Sequence, residues 1–332
     1  MKSPHRRALL LGATFALAAP LLAPRTARAQ AKPAYPTKPV RLVVPYAPGG
    51  LPDTVARIVG QKLGEQWGQQ VLIDNRPGGN GVVSAQFVIA SPPDGYTMMV
   101  TDNSLIAINP ALYPKLPYDA KKDFLPVSLA ARAPLYLAIN PEVPANTLQE
   151  FVALVRSKPG VYSYGSSGIG STHHLCMESL KATLGLNIVH VPFKGTGQSV
   201  PAVVSGDVAA VFSAGPSVFG FAKSGKVKLL AVNSAKRATQ SPNIPTIAET
   251  LTPGFDFAPT IGLLAPAGMP AEIIRQVGAD VAQVVKIPAV IDNMQTLGID
   301  PVGASGEEYA LMLKEDTERY AKAIKASGIH ME

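Results

Sequence analysis

Short apolar runs alternate with helix-periodic stretches along most of this chain, and loops bearing glycine or proline separate them. Val40-Arg41-Leu42-Val43-Val44 is one such run. A Pro-Gly-Gly turn follows it, and residues 53–67 then place Val55, Ile58, Val59 and Leu63 near 3.6-residue spacing. Further strands are expected at 70–74, 97–101, 135–139, 162–166, 188–191, 208–212 and 229–233, with a helix at 83–90 and others between the later runs. Strands separated by helical patterns form βαβ units, so the alternation predicts an α/β protein with parallel-rich sheets. The strands are too many for one economical sheet, and 332 residues exceed the roughly 250–300 at which a single core stops growing. Two α/β lobes are the expected outcome.

Proline positions mark where the chain passes between lobes. The stretch 124–134 reads as the outward crossing, and the return falls within 233–266, where Pro242, Pro245, Pro253, Pro259 and Pro266 oppose long regular elements. Residues 271–325 read as mostly helical, with Ile273, Ile274, Val277, Val281 and Val284 on one face. The expected division is a first part of lobe I over 30–130, lobe II over 131–240, and a return to lobe I with C-terminal helices over 241–332.

Residues 1–29 have a different character. Lys2, Arg6 and Arg7 precede an apolar run over 8–23 that contains Gly12 and Pro20 and falls short of the ~20 residues needed to span hydrocarbon. Ala27-Arg28-Ala29 before Gln30 supplies a small-x-small cleavage pattern, which predicts an export signal cut after Ala29 and a soluble protein in the periplasm. Arg6-Arg7 leaves the general and twin-arginine routes both open. The chain's formal charge of +7 falls to +2 without this segment, which carries five basic residues and no acid, so charge gives no case for a nucleic-acid partner. Its single cysteine, Cys176, excludes a disulfide scaffold and a Cys-pair metal site.

Two strand-to-helix loops carry the strongest chemical signal. Pro45-Tyr46-Ala47-Pro48-Gly49-Gly50-Leu51-Pro52-Asp53 sits where open α/β sheets place ligands and where helix N–H groups attract anions. Tyr46, Ala47, Gly49, Gly50, Leu51 and Asp53 are its candidate ligand residues, and a plain tight turn with Asp53 as helix cap is the alternative. In Tyr164-Gly165-Ser166-Ser167-Gly168-Ile169-Gly170-Ser171-Thr172-His173, the donors Ser166, Ser167, Ser171 and Thr172 gather without a fixed positive charge, an array suited to a carboxylate unless its glycines are merely structural. Gly165 and Gly170 have phosphate-loop spacing, but Ser171 stands where a lysine is needed, and Ser167 is not framed as GxSxG. Asp102, Asn103 and Ser104 follow a strand in the same way, as do Gly195 in Lys194-Gly195-Thr196-Gly197 and Ser213 in Ser213-Ala214-Gly215-Pro216. Loops of this kind from two lobes describe a cleft that closes on a small molecule. No catalytic constellation emerges. His173 and His174 diverge by ~100° on a helix and lack the company of a metal site, so neither a metal nor a cofactor is expected.

The chain also resembles a known family. Tyr35-Pro36-Thr37-Lys38-Pro39-Val40-Arg41-Leu42-Val43-Val44-Pro45-Tyr46-Ala47-Pro48-Gly49-Gly50, followed by Asp53, Ala56 and Arg57, is similar to the opening of the Bug-type solute receptors of tripartite tricarboxylate transporters. Asn75-Arg76-Pro77-Gly78-Gly79-Asn80-Gly81, Asp94-Gly95-Tyr96-Thr97, Ile108-Asn109-Pro110-Ala111-Leu112-Tyr113, Tyr164-Gly165-Ser166-Ser167-Gly168, His190-Val191-Pro192-Phe193-Lys194-Gly195 and Leu263-Leu264-Ala265-Pro266-Ala267-Gly268 continue the likeness in order. The resemblance implies a type II periplasmic binding-protein fold, two α/β lobes joined by a hinge with the ligand cleft between them. It also implies a carboxylate grip at Gly49-Gly50 in one lobe and at 166–172 in the other. The chain departs from the family pattern at Thr101-Asp102-Asn103-Ser104-Leu105, at Leu51, at Ala202 and at Ala209, so the mode of binding carries over better than the solute.

These observations predict a monomeric binding protein, not an enzyme. Its solute would be a small organic carboxylate (a di- or tricarboxylate, an amino acid or an aromatic acid), delivered to the membrane permease subunits of a tripartite transporter. A sensor that presents its closed form to a membrane signalling receptor is an alternative, and a periplasmic hydrolase using Ser167 or Ser171 is another. Asp102 has two expected placements. It meets a cationic group of the ligand, or it turns to a Lys, an Arg or the N–H groups of the next helix.

Overall fold

The computed structural model describes residues 35–327 and Ile329, so the expected export signal lies outside the described residues. Strand β1 (Val40–Val44) is buried almost throughout and is followed by α1 (Leu51–Trp67). Pro52 stands in the first turn of that helix, where its missing N–H has no partner to lose. Val55, Ala56, Val59 and Leu63 then bury one face, and each of the Val and Leu side chains contributes ~1.5–3 kcal/mol. Strand β2 (Val71–Asn75), a 3₁₀ turn (Gly79–Gly81), α2 (Val82–Ile89) and β3 (Thr97–Asp102) follow. A π-turn (Ser104–Ile108) then leads into α3 (Asn109–Leu112).

The stretch 124–134, expected as a crossing, instead carries the nine-residue strand β4 (Phe124–Arg132), and the chain passes over at Ala133-Pro134 into β5 (Leu135–Ile139). The second series is α4 (Leu148–Ser157), β6 (Ser163–Ser166), α5 (Thr172–Leu184), β7 (Val189–Pro192), α6 (Thr196–Ser205), β8 (Ala210–Ala214), α7 (Gly215–Lys223) and β9 (Lys228–Val232). The return holds the short α8 (Ile247–Thr250) and strand β10 (Thr260–Pro266). After these come α9 (Ala271–Val284), α10 (Pro288–Thr296), β11 (Asp300–Ser305) and α11 (Gly306–Ser327).

Two sheets result, ordered β11-β4-β10-β3-β1-β2 and β7-β6-β8-β5-β9. They are mixed sheets of two α/β lobes, as the type II binding-protein reading expects, with antiparallel strands added to the parallel βαβ units. The βαβ units do pair in parallel, at β1 with β2 and β3 and at β6 with β7 and β8. The strands on either side of the two crossings run the other way: β10 and β11 against β4, β10 against β3, and β5 against β8 and β9. Asn233 ties the two crossings together. Its Oδ1 accepts the Leu135 N–H at 2.7 Å, its Nδ2 donates to the Phe257 carbonyl at 2.9 Å, and Arg132 pairs with Asp256 at 3.1 Å beside it.

Candidate functional site

The β1–α1 loop is held from within. Gly49, in the left-handed region at φ 87°, directs its N–H to Asp53 Oδ2 at 2.9 Å. The Asp53 carboxylate also accepts two bonds from the Arg57 guanidinium, at 3.0 and 2.9 Å, and one from Asn75 Nδ2 at 2.9 Å. Burial pushes its pKa up, but Arg57, the Gly49 N–H and Asn75 outweigh burial and hold the carboxyl below its ordinary value. Asp53 therefore fixes the loop and keeps no acceptor for a solute.

Tyr46 extends from the same loop to the end of β3, where its hydroxyl donates to Asp102 Oδ1 at 3.0 Å. That oxygen also accepts the Ser104 N–H at 3.0 Å, while Oδ2 accepts from the Thr172 hydroxyl of the opposite lobe at 3.3 Å. Of the two placements expected for Asp102, the structure shows the turn toward backbone N–H. Burial raises the Asp102 pKa against the pull of these donors, and burial followed by the Asp102 charge raises that of Tyr46. Ser104 and Thr172 share a hydrogen bond of 3.0 Å, so a buried polar contact links the start of the π-turn to the start of α5. Asn103 points elsewhere. Its Nδ2 donates to Asp316 Oδ2 on α11 at 2.8 Å.

In the second lobe, Ser171 caps α5, accepting the His174 N–H at 3.3 Å and donating to the Gly168 carbonyl at 2.8 Å. That engages one of the two hydroxyls named for the hydrolase alternative, the other being that of Ser167. Ser166 accepts the Gly168 N–H at 3.0 Å and meets His190 Nε2 at 2.7 Å. Behind this loop the rings of His190 and His174 stack at 4.1 Å, and Tyr164 stacks on His190 at 4.9 Å. Burial, its largest cause, lowers the pKa of His174 to about 4 and that of His190 to about 3.

A cavity of about 270 Å³ lies between these loops. The first lobe supplies Pro45, Tyr46, Gly78, Gly79, Asn80 and Tyr113, and the second supplies Ser167, Gly168, Ile169, Pro192, Phe193 and Lys194. Of the candidate site residues, Tyr46 and Ser167 line it. Gly49 and Gly50 sit at the lobe contact, where Ser217 Oγ donates to the Gly49 carbonyl at 2.9 Å and a β-carbon on Gly50 would stand 3.1 Å from Thr196 Oγ1. Ala47 and Gly195 face each other, since a β-carbon on Gly195 would stand 3.3 Å from that of Ala47. Leu51 packs into the core instead, and Ser213 remains buried on β8 outside the lining. Asn80, Tyr113, Phe193 and Lys194 were not singled out from sequence, although their loops were recognised. The signal that marks Asn80 is its left-handed backbone, φ 48°, in a residue other than glycine. Among the described residues there is no cluster of metal-ligating side chains and no helix long and apolar enough to cross a membrane.

The chain is 33% identical over 320 residues to a protein encoded in the tcbD-tcbE intergenic region of Pseudomonas sp. strain P51, covering 96% of this chain and 94% of that one. The structure of Rpa4515 from R. palustris with adipate superposes with a TM-score of 0.87 at 32% identity, covering 89% of this chain and 99% of that one. MatC from Rhodopseudomonas palustris with bound malate gives 0.83 at 30% identity, covering 87% and 100%. The model of the tripartite tricarboxylate transporter family receptor matches residues 55–329. The two mixed α/β lobes, the cavity between them and these matches lead to one assignment: the chain belongs to the tripartite tricarboxylate transporter receptor family, whose members are solute-binding receptors and not enzymes.

Proposed function

We propose that this protein captures a small organic carboxylate in the cavity between its lobes, in the periplasm, and delivers it as a monomer to the permease subunits of a tripartite transporter. Adipate and malate in two related structures support the solute class. The observation that carries the reading for this chain is a lining built from strand-to-helix loops of both lobes. In this reading Tyr46 and Ser167 touch the solute, Gly49 and Gly50 bring the first lobe against the second, and Ser166, Ser171 and Thr172 shape the second-lobe loop. The outward crossing at Ala133-Pro134 and the return through Asn233 then act as the hinge, and closure is the selection of a closed state by a solute that contacts both lobes. A thermal-shift screen of the mature protein against carboxylates tests this, because a ligand at 100 times its Kd adds ~2.7 kcal/mol. Absence of a shift with every carboxylate at millimolar concentration, repeated by calorimetry, refutes it. Export is tested by the mass of the periplasmic protein, expected to begin at Gln30.

A further inference from the structure

The loop that forms the second-lobe wall of the cavity is held from behind by an imidazole. Gly170 directs its N–H to His174 Nδ1 at 3.1 Å, and both residues are buried. On its other side Gly170 meets the first lobe, since a β-carbon there would overlap Leu112 Cδ2 and stand 3.3 Å from Asn80 Nδ2. The three residues before it, Ser167, Gly168 and Ile169, line the cavity, as does Asn80. Gly170 itself, at φ 80°, has no side chain to fix it. One hydrogen bond therefore sets where this loop stands against both the cavity and the opposite lobe.

That bond exists only while Nδ1 is bare. A backbone N–H cannot become an acceptor, so a proton on Nδ1 sets two donors face to face. His190 in the same stack is an acceptor too. The Gly168 carbonyl already receives the Ser171 N–H at 3.1 Å and the Ser171 hydroxyl at 2.8 Å, so the Ser166 hydroxyl gives its hydrogen to His190 Nε2 at 2.7 Å. The two rings lie 4.1 Å apart, too near for both to carry charge. Facing His174 are His190 from β7, Tyr164 from β6, and Glu178 and Lys181 from its own helix. The Glu178 carboxylate, 4.0 Å from Nε2, is taken by the Tyr164 hydroxyl and the Lys181 ammonium, each at 2.5 Å.

We infer that His174 is the positioning residue of the solute loop, and that solute capture and protonation of His174 exclude one another. This rests on the receptor reading above and adds a residue and a proton linkage to it. Linkage is reciprocal, so a solute that needs the tied loop loses affinity as protons take Nδ1. With His174 titrating at about 4, the loss is about twofold at pH 4 and about fourfold at pH 3.5. The test is calorimetry with adipate and with malate on the wild type, H174N and H174L at pH 7, 4 and 3.5, together with hydrogen exchange at the Gly170 amide without solute. Asparagine presents Oδ1 in place of Nδ1 and does not titrate. H174N should bind like the wild type at pH 7, and the ratio of wild-type to H174N affinity should then fall by the stated factors. That ratio cancels the titration of the solute and of the neighbouring His173. H174L leaves the Gly170 N–H without an acceptor, so it should lose about tenfold or more at pH 7, together with protection of that amide. Where H174L does not fold, the pH profile of H174N decides. A ratio constant with pH, wild-type affinity in H174L, a tenfold loss in H174N, or equal Gly170 protection in all three proteins overturns the inference while leaving the receptor reading standing. Silence of both probes overturns it as well, and silence across the wider carboxylate screen is the separate result that removes the receptor reading.

Discussion

Asp102 is a buried carboxylate with three donors and no cation, and its raised pKa means that the fold tolerates the neutral form better than the charged one. An acid with a raised folded pKa contributes stability below its unfolded pKa, and that contribution disappears as pH rises through the folded value. At neutral pH the charge on Asp102 therefore costs stability. Asp102→Asn keeps the shape, leaves an oxygen for the Tyr46 hydroxyl and the Ser104 N–H, and offers its amide to Thr172. The melting temperature at pH 7 is expected to hold or rise. A loss of more than ~1 kcal/mol, the size of a typical net hydrogen bond, would mean that the donors outweigh burial. Because Tyr46 separates Asp102 from the cavity, the substitution should shift affinity for a carboxylate and for its amino analogue by the same factor.

At the scale of elements, what the sequence disclosed depended on how each strand hides its surface. Runs such as 40–44 and 135–139 are buried on both faces and so read as unbroken apolar stretches. Strand β4 was concealed by Pro126, which a central strand normally rejects for want of an N–H. It is accepted here because β11 pairs only with residues from Ser128 to Arg132, and because the register against β10 shifts between Leu263 and Leu264. Strand β11, with Pro301 and Gly303 and little burial, had no apolar signature at all. In the site, the loops were legible from their glycines, but the direction of each side chain was not. Asp53, read as a ligand residue or a helix cap, and Ser171, read as a ligand donor, form internal ties of their own loops. Helix α5 adds a consequence for pH. His174 Nδ1 accepts the Gly170 N–H at 3.1 Å, so the imidazole is held neutral, with Glu178 Oε1 4.0 Å from Nε2 and Lys181 opposing protonation. A fall from 6.5 to about 4 makes the unfolded chain the better proton acceptor between those values, so stability is lost as pH falls through that window, by roughly 3 kcal/mol at most for this one group. In His174→Asn an amide oxygen replaces Nδ1. Urea unfolding from pH 7 to 4.5 should then show a slope reduced by about one proton, and an unchanged slope would place the titration elsewhere.

For the molecule as a whole, the two lobes are in direct polar and steric contact. The Thr172 hydroxyl reaches Asp102 and Ser104, Ser217 reaches the Gly49 carbonyl, and α6 begins against the β1–α1 loop. These bonds are few and short-ranged, so the approach of the lobes is governed by backbone fit where side chains are missing. Gly197 is the decisive position. A β-carbon there would stand 2.7 Å from the Pro48 carbonyl oxygen, closer than carbon and oxygen approach without a shift of one backbone against the other. Within its own lobe Gly197 occupies the first turn of α6, where alanine is at least as good a helix former. Gly197→Ala should therefore leave each lobe folded while holding the first and second lobes apart. The expected result is a melting temperature close to that of the wild type, a larger radius of gyration in solution scattering with solute present, and solute affinity reduced by at least tenfold. Valine at the same position should increase both effects, because its branched side chain extends the same obstruction. Wild-type affinity together with wild-type scattering in Gly197→Ala would show that solute capture does not depend on this contact between the lobes.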